Sequence, residues 1–473
     1  MSSVRNRWFR LDKPNRPLIL FNCILVNKIL RKRPVTNIIS SFIDQGINLD
    51  TILKMNINDL KILPLFNKLI INTSKLPNNF NYKLLDQYTN IILSLPSFDN
   101  ADKILKNIRS ITEISINEYH SKISVNWNNL LKLIIGDTYI TNITSIKHAN
   151  NLIELILPNS LNLPLDNLLD NFKHLKILTF GHTYNKPLDR SLDNLVSLEY
   201  LIFGYYFNQS LDNALQKLKN LKKIHFGTAF NNDLNNSFEN LDQLDEIKFG
   251  DNFNGELNDS LNNLTNLKKL YFGWGFNRSL NGSFLAISQP SQFISLINLV
   301  RLDFGIEYNQ PLNNSLDTLV NLKHLYLSRS FNQPLNNSLD NLKKLIELRF
   351  GIWFNQPLDR CLDNLTNLKI LIFGDIKCCS LAKSNFNQPL KDSLSNLVNL
   401  RVLNLGDSFD RILGYSVNGL ENLNTLYFGI KYKKHIGKAF DSFADTIKFN
   451  IYFNDKLYHT IEEFKQNNIL LFI

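Results

Sequence analysis

Four cysteines, Cys23, Cys361, Cys378 and Cys379, are the side chains best suited to nucleophilic, metal-binding or disulfide chemistry in this chain. Their spacing fits none of these roles. There is no Cys-x-x-Cys pair and no Cys/His cluster, and four cysteines are too few to staple 473 residues. A reducing, cytoplasmic compartment is therefore expected. Cys378-Cys379 is an adjacent pair and a poor metal clamp. The histidines are scattered as well: His174, His182, His225 and His324 fall at different phases of the repeat described below, and none joins a Cys or Ser in a catalytic motif. Glycines occur singly, not in a phosphate-cradling loop. The sequence thus predicts no active site, cofactor, metal or small-molecule substrate.

Charge narrows the partners. The chain carries a formal +10, but nine Lys and Arg against Asp12 alone in the first 34 residues account for +8 of it. The remainder is close to neutral, so bulk charge provides no basic stripe for tracking a nucleic acid. Residues 17–26 are apolar but too few to span a bilayer, Asn22 interrupts them, and no small-residue cleavage site follows. A membrane or nucleic-acid role for the basic segment, with Arg31, Lys32 and Arg33 at its end, gains no support. An apolar share of 44% is enough for a substantial core.

What positions these residues is a repeat. A Leu-x-x-Leu-x-Phe run ends in Gly181, Gly204, Gly227, Gly250 and Gly273, each 23 positions after the last. The column continues at Gly305, Ser328, Gly351, Gly374, Gly406 and Gly429, with two steps of 32 that carry insertions near residues 283–293 and at 375–383. Within one copy, Leu201 and Phe203 lie two apart, as on a strand. Leu211, Leu215 and Leu218 follow at i, i+4 and i+7, which suits a short helical or 3₁₀ return. The predicted fold is a leucine-rich-repeat-like solenoid of short parallel strands with a 23-residue period. A lone repeat buries too little to offset ordering 23 backbones, so neighbours must stack. The glycine column marks either φ > 0 or close backbone approach between turns.

A second column follows an aromatic in every copy: Asn185, Asn208, Asn231, Asn254, Asn277, Asn309, Asn332, Asn355 and Asn387. Stacking would bring these side chains within about 4.8 Å of one another. Carboxylates at that distance would repel by roughly 3–4 kcal/mol per pair at an effective dielectric near 20. An amide can instead bond its neighbours and the turn backbone, so a structural ladder is expected. Asp410 is the exception, near the end of the array. Asn-x-Ser triplets such as Asn208-Gln209-Ser210 and Asn313-Asn314-Ser315 recur with the repeat and are read as structural rather than as glycan acceptors.

Tyr308-Asn309-Gln310-Pro311-Leu312, Phe331-Asn332-Gln333-Pro334-Leu335, Phe354-Asn355-Gln356-Pro357-Leu358 and Phe386-Asn387-Gln388-Pro389-Leu390 resemble the FNIP repeat, a relative of the leucine-rich repeat. The resemblance covers about residues 150–430, with Gln in place of the Ile of the motif. Proteins of this kind are abundant in slime moulds and in giant viruses of amoebae. Some carry an N-terminal F-box, which would imply recruitment of a ubiquitin ligase. Residues 36–65 have apolar spacing for such a segment (Ile38, Ile39, Phe42, Ile43, Leu53 and Leu60) without its Leu-Pro opening.

Four regions are expected: an N-terminal cap or small helical domain over 1–60, degenerate repeats over 60–150, regular repeats over 150–430 and a C-terminal cap over 431–473. Strands are expected at 66–71, 90–95 and 111–116, a further strand at 446–453 and a helix at 457–465. Strand positions alternating with the Leu-x-Phe core should face outward, and there the residues vary. Tyr200, Tyr271, Tyr326, Arg349 and Tyr427, with Trp274 and Trp353 just beyond the glycines, are of the types enriched at interface hot spots. They are the candidate contacts for a protein partner on a non-enzymatic scaffold, on a surface freed from folding duties. The alternative is a ubiquitin-ligase substrate receptor with residues 1–65 as adaptor.

Overall fold

A leucine every few residues and an aromatic before each glycine should give coils that share one core, and the computed structural model of the chain is built of such coils. It describes residues 47–48, 68–71, 90–95, 111–116, 127–136, 143–257, 260–280, 296–374, 384–429, most of 431–443, 450–453 and 456–468. The basic N-terminal segment, Cys23, both insertions with Cys378-Cys379, and the F-box-like stretch apart from Ile47–Asn48 lie outside the described residues. The chain divides into two compact units, one of residues 1–118 and 123–130, the other of residues 119–122 and 131–473.

In the first unit, β1 (Ile47–Asn48), β2 (Lys68–Ile71), β3 (Asn90–Leu95) and β4 (Ile111–Ile116) pair in parallel, each with the next. The three faint upstream copies are therefore strands. β1 lies inside the stretch expected to be a cap.

The second unit continues the pattern with β5 (Lys132–Ile135), β6 (Glu154–Ile156), β7 (Ile177–Thr179), β8 (Tyr200–Ile202), β9 (Lys223–His225), β10 (Glu246–Lys248) and β11 (Lys269–Tyr271). It goes on through β12 (Arg301–Asp303), β13 (His324–Tyr326), β14 (Glu347–Phe350), β15 (Ile370–Phe373), β16 (Val402–Asn404), β17 (Thr425–Phe428) and β18 (Asn450–Phe453). All these pairings are parallel and join consecutive coils. The insertions in the two long coils leave the register of β11 with β12 and of β15 with β16 intact.

The return from β5 to β6 holds a 3₁₀ helix, Thr144–His148, as expected, whereas the described returns after β6 are not continuous helices. They are successive turns closed by i+3 to i bonds: Ala214 N–H to Leu211 O at 2.8 Å, Leu218 N–H to Leu215 O at 2.9 Å and Leu221 N–H to Leu218 O at 2.9 Å. Nine of the described returns open on a residue in the left-handed region: Asp166, Asp189, Asp212, Asn235, Asn313, Asn336, Asp359 and Lys391 have φ of 38–47°, and Gly414 ends the series at 54°. Asp and Asn tolerate that conformation better than other side chains do. This column was not anticipated, although its Leu-Asp and Leu-Asn dipeptides recur in the sequence. The serines of two Asn-x-Ser triplets serve the same turns: the buried hydroxyls of Ser237 and Ser315 donate to the carbonyls of Leu234 and Leu312 at 2.5 Å.

Inside the coils, strand leucines such as Leu201, Leu270 and Leu348 are fully buried. Beside them run two aromatic columns. Rings of the first (Phe180, Phe203, Phe226, Phe249, Phe272, Phe304) stack at 5.2–5.8 Å. Those of the second, from Tyr184 and Phe207 to Phe409 and Tyr432, stack at 5.9–6.3 Å. Strands repeat at about 4.8 Å, so within this unit the coils splay away from the sheet.

The glycine column records close approach. A Cβ on Gly204, Gly227 or Gly250 would lie 1.8 Å from the carbonyl oxygen of the preceding coil's glycine. Only some members also need left-handed backbone, Gly305 at φ 71° and Gly406 at 73° among them. At Ser328 the hydroxyl donates to the Tyr308 carbonyl.

The Asn side chains lie at the edge of this core, half-exposed or exposed. Each Oδ1 accepts the backbone N–H of the matching residue one coil on, at 2.7–2.9 Å from Asn185 through Asn387 to Asp410. Asp410 in turn accepts from Lys433 N–H at 2.8 Å. The contact is side chain to backbone, and the oxygen alone makes it. The Gln that replaces Ile in the repeat motif gains a reason: Gln333, Gln356 and Gln388 each donate Nε2 to the carbonyl and the Oδ1 of the preceding coil's Asn, at 3.0–3.2 Å. A second Asn column, missed in the sequence, enters the strands. Asn220, Asn266, Asn321, Asn367 and Asn422 each donate Nδ2 to a carbonyl one coil back, at 2.8 Å.

At the C-terminal end, β18 pairs antiparallel with β19 (Lys456–Tyr458), and helix α1 (Ile461–Asn467) follows. The expected helix thus begins later, because residues 456–458 occupy the edge of the sheet. Thr460 sets the start by accepting from Glu463 N–H at 3.0 Å.

Replacing Asn309 by Ala removes the acceptor for Asn332 N–H and should cost about 1–3 kcal/mol. Asn309→Asp keeps the acceptor, but the Asn309→Asp/Asn332→Asp double variant should lose more in urea unfolding than its two single changes together. Strict additivity would reject the spacing argument. Lys391→Asn should stabilise by about 0.5–1 kcal/mol by relieving left-handed strain, read as a higher Tm. Its 3.8 Å contact with Asp359 is exposed and adds little.

Candidate partner-binding face

Each three-residue strand from β6 to β13 buries its middle residue and turns the first and third outward, as β8, β9, β12 and β13 show. The parallel register stacks these into two outward columns. One runs Tyr200, Lys223, Glu246, Lys269, Arg301, His324, Glu347; the other runs Ile202, His225, Lys248, Tyr271, Asp303, Tyr326, Arg349. Downstream the second column sinks: Ile372 and Asn404 are only 2% and 5% exposed.

Of the residues singled out in the sequence, Tyr271, Tyr326 and Arg349 come together around one that was not, Arg301. Its guanidinium lies 5.2 Å from the Tyr271 ring centre and 4.3 Å from that of Tyr326, and Arg349 lies 4.8 Å from Tyr326 on the next strand. The four form a continuous cation–π stack across β11–β14. Glu347 anchors it. Its carboxylate accepts from Tyr326 Oη at 2.7 Å, Arg349 Nε at 2.6 Å and His324 Nδ1 at 3.0 Å. Burial alone would raise the Glu347 pKa, but these bonds hold it below the ordinary carboxylate range. Burial and the bond to Glu347 push the Tyr326 phenol up to about 12. Tyr326 and Arg349 are therefore tied into the fold and are not free of structural duty as expected. The cross-strand alternation of acid, base and aromatic was the available signal.

A second node sits on Glu246. His225 Nε2 approaches it at 2.9 Å, Lys269 at 3.4 Å and Lys223 at 4.0 Å. The His225 bond, against burial and aided by the lysines, lowers its pKa to about 2.

The other candidates stand apart from the stack. Tyr200, on β8, has Lys223 Nζ 5.2 Å from its ring centre and is separated from Tyr271 by two strands. Tyr427 stacks on Tyr452 at 4.0 Å. Trp274 and Trp353 leave the strand ends beyond the glycines, 43% and 55% exposed, on the rim that also carries Tyr205 and Tyr206. Among the described residues no group of three His, Cys, Asp or Glu side chains could hold a metal ion, and no helix is long and apolar enough to cross a membrane.

The lowered carboxylate at Glu246 contributes stability that is complete above its ordinary value near 4.5 and is lost as pH falls towards about 2. Glu246→Gln should therefore flatten the fall of Tm between those two pH values relative to the parent chain. An unchanged slope would assign the acid sensitivity elsewhere.

No known family profile matches the chain, and no curated protein sequence does. Solved structures share its fold. The circular leucine-rich-repeat protein CroV588, from a giant virus, is 22% identical, with 83% of this chain aligned to 56% of that one at a TM-score of 0.59. A leucine-rich-repeat protein of Leptospira interrogans is 18% identical, over 88% of this chain and 97% of that one, at 0.58. Toll of Drosophila, solved in complex with Spatzle, is 14% identical, over 84% and 56%, at 0.58. The chain thus spans little more than half the length of the viral protein and of Toll, and no enzyme family is indicated. The fold is a parallel-strand solenoid of the leucine-rich-repeat kind, with about 13 turns, a period of about 23 residues and little helix.

Proposed function

We propose that the outward sheet face of the second unit docks a protein partner and that the protein is a non-enzymatic scaffold in a reducing, cytoplasmic compartment. One observation carries this. A rigid surface of in-register strands presents a fixed cation–π stack at its centre, from Tyr271 to Arg349, with exposed Trp274 and Trp353 at its rim. Preorganised Tyr and Arg beside exposed Trp lose little conformational freedom on binding, which is what concentrates affinity at a few residues. Solenoids present extended surfaces of this kind, and Toll holds a protein, Spatzle, in its solved complex. The Phe-Asn-Gln-Pro-Leu copies support reading the repeats as of the FNIP type. The adaptor role for residues 1–65 rests on that resemblance alone.

Because the two tryptophans lie outside the cation–π network, their loss should affect docking without affecting stability. Trp274→Ala/Trp353→Ala removes two exposed rings and should leave Tm within about 2 °C while lowering partner capture from the native host at least about ten-fold, in the range of a hot-spot loss. Arg349→Ala should lower Tm as well, because it strips a donor from the buried Glu347 carboxylate. Undiminished capture by the Trp variant, measured by mass spectrometry after affinity purification, would reject this face.

A further inference from the structure

One residue upstream of the outward columns runs a third row, and it changes character along the second unit. Its early members alternate in sign: Lys176 and Lys222 clamp Glu199 at 2.9 and 2.7 Å, and Asp245 follows them. From β11 onward the row reads Lys268, Val300, Lys323, Ile346, Lys369, Arg401, with no acid in it. Successive members are one coil apart, since each backbone N–H donates to the carbonyl of the one before, at 2.8 or 2.9 Å. Lys268, Lys323 and Arg401 are exposed and Lys369 half-exposed, as are Val300 and Ile346 between them. None of the four cations forms an ion pair among the described residues. Of the acids near the row, Asp303 is engaged with Arg301 at 3.6 Å and Glu347 in its own network, while Asp245, one coil before Lys268, forms no ion pair among the described residues and bounds the cationic stretch at that end.

We propose that this row is a track for an acidic amphipathic α-helix of the partner, lying along the solenoid axis. The inference rests on the docking-face reading and gives the partner its chemistry. Two coils separate Lys268 from Lys323 and Lys323 from Lys369, or about 10 Å each at strand spacing. An α-helix advances about 10.5 Å in seven residues and about 5 Å in three or four on the same face. Carboxylates at heptad spacing would meet the three lysines, and apolar residues midway would meet Val300 and Ile346. Arg401 extends the track by one coil. A single-stranded nucleic acid fits less well. Its phosphates are closer together than the three lysines, and the Tyr271 and Tyr326 rings that could stack on bases already carry guanidinium groups on their faces.

The test uses the full chain and a fluorescent synthetic helical peptide of about 18 residues, with glutamates at heptad spacing and leucines midway between. Binding is read by anisotropy at low and high salt. Lys323→Glu/Lys369→Glu should weaken it at least about ten-fold with unchanged Tm, and Lys323→Gln/Lys369→Gln should weaken it by less. A peptide with lysines in place of the glutamates should prefer the Glu variant to the parent chain. Salt should weaken the matched pair in both directions. Equal binding of a scrambled peptide of the same composition would overturn the proposal, as would tighter competing binding of oligouridylate. If the peptide fails while Trp274→Ala/Trp353→Ala still loses the native partner, the helix track falls and the docking face stands. If neither binding is affected, both fall.

Discussion

The distance from one coil to the next, about 4.8 Å, is the constraint on which the rest of the structure depends. It is set where backbones touch, at the glycine column, where a Cβ on Gly204 or Gly227 would lie inside the preceding carbonyl. Once that distance is fixed, every residue type in the repeat follows from what can recur at it. Flat rings recur by stacking. Leucines recur by filling the coil. A neutral side chain with an oxygen recurs at the turn edge, because it can accept the next backbone N–H without meeting a like charge one step away. Asp410 shows that the acceptor is what the bond needs and that neutrality is what repetition needs: a single carboxylate serves there, with no second one beside it.

The same spacing governs the outer face, where the rule works in reverse. Like charges one coil apart repel, so a surface carrying many charges must alternate them or separate them with uncharged residues. On β9–β14 bases flank the two acids, and the result is two carboxylates, Glu246 and Glu347, each held by donors from neighbouring strands. Lys269 and Arg301 sit side by side, with Arg301 turned onto the Tyr rings. These networks stiffen the face without belonging to the core. In the row beside them, Val300 and Ile346 separate the three lysines, which form no ion pair among the described residues. Compensation by neighbouring strands and separation by apolar residues are therefore alternative solutions to one electrostatic problem, side by side on one surface.

Much of this was legible in the residues, because a period is visible without knowing what it builds. The parallel strands, the 23-residue coil and even the faint copies at 66–71, 90–95 and 111–116 follow from spacing alone. Spacing does not distinguish reasons. The glycine column was compatible with left-handed backbone or with close approach, and only the fold shows that approach dominates while Gly305 and Gly406 need both. The left-handed Asp and Asn that open most of the described returns, and the second Asn column from Asn220 to Asn422, were hidden in a composition where Asn is common. Their phase carried the signal, and it was read at one Asn position and not at the others.

The candidate site was legible in type but not in coupling. Tyr271, Tyr326 and Arg349 stand out as hot-spot residues in any list. That they are bound to one another through Arg301 and Glu347 depends on cross-strand neighbours 21–32 residues apart in the chain. Such neighbours can be read from a repeat once its register is known, since position n faces position n + 23 unless an insertion intervenes. The two coils with insertions are where that arithmetic is most at risk, and Tyr271 with Arg301 straddles one of them. The register survives there because the insertion follows the turn and leaves the strand untouched. A solenoid can thus lengthen a coil without disturbing its sheet, and its outward sheet face can stay continuous across an irregular repeat.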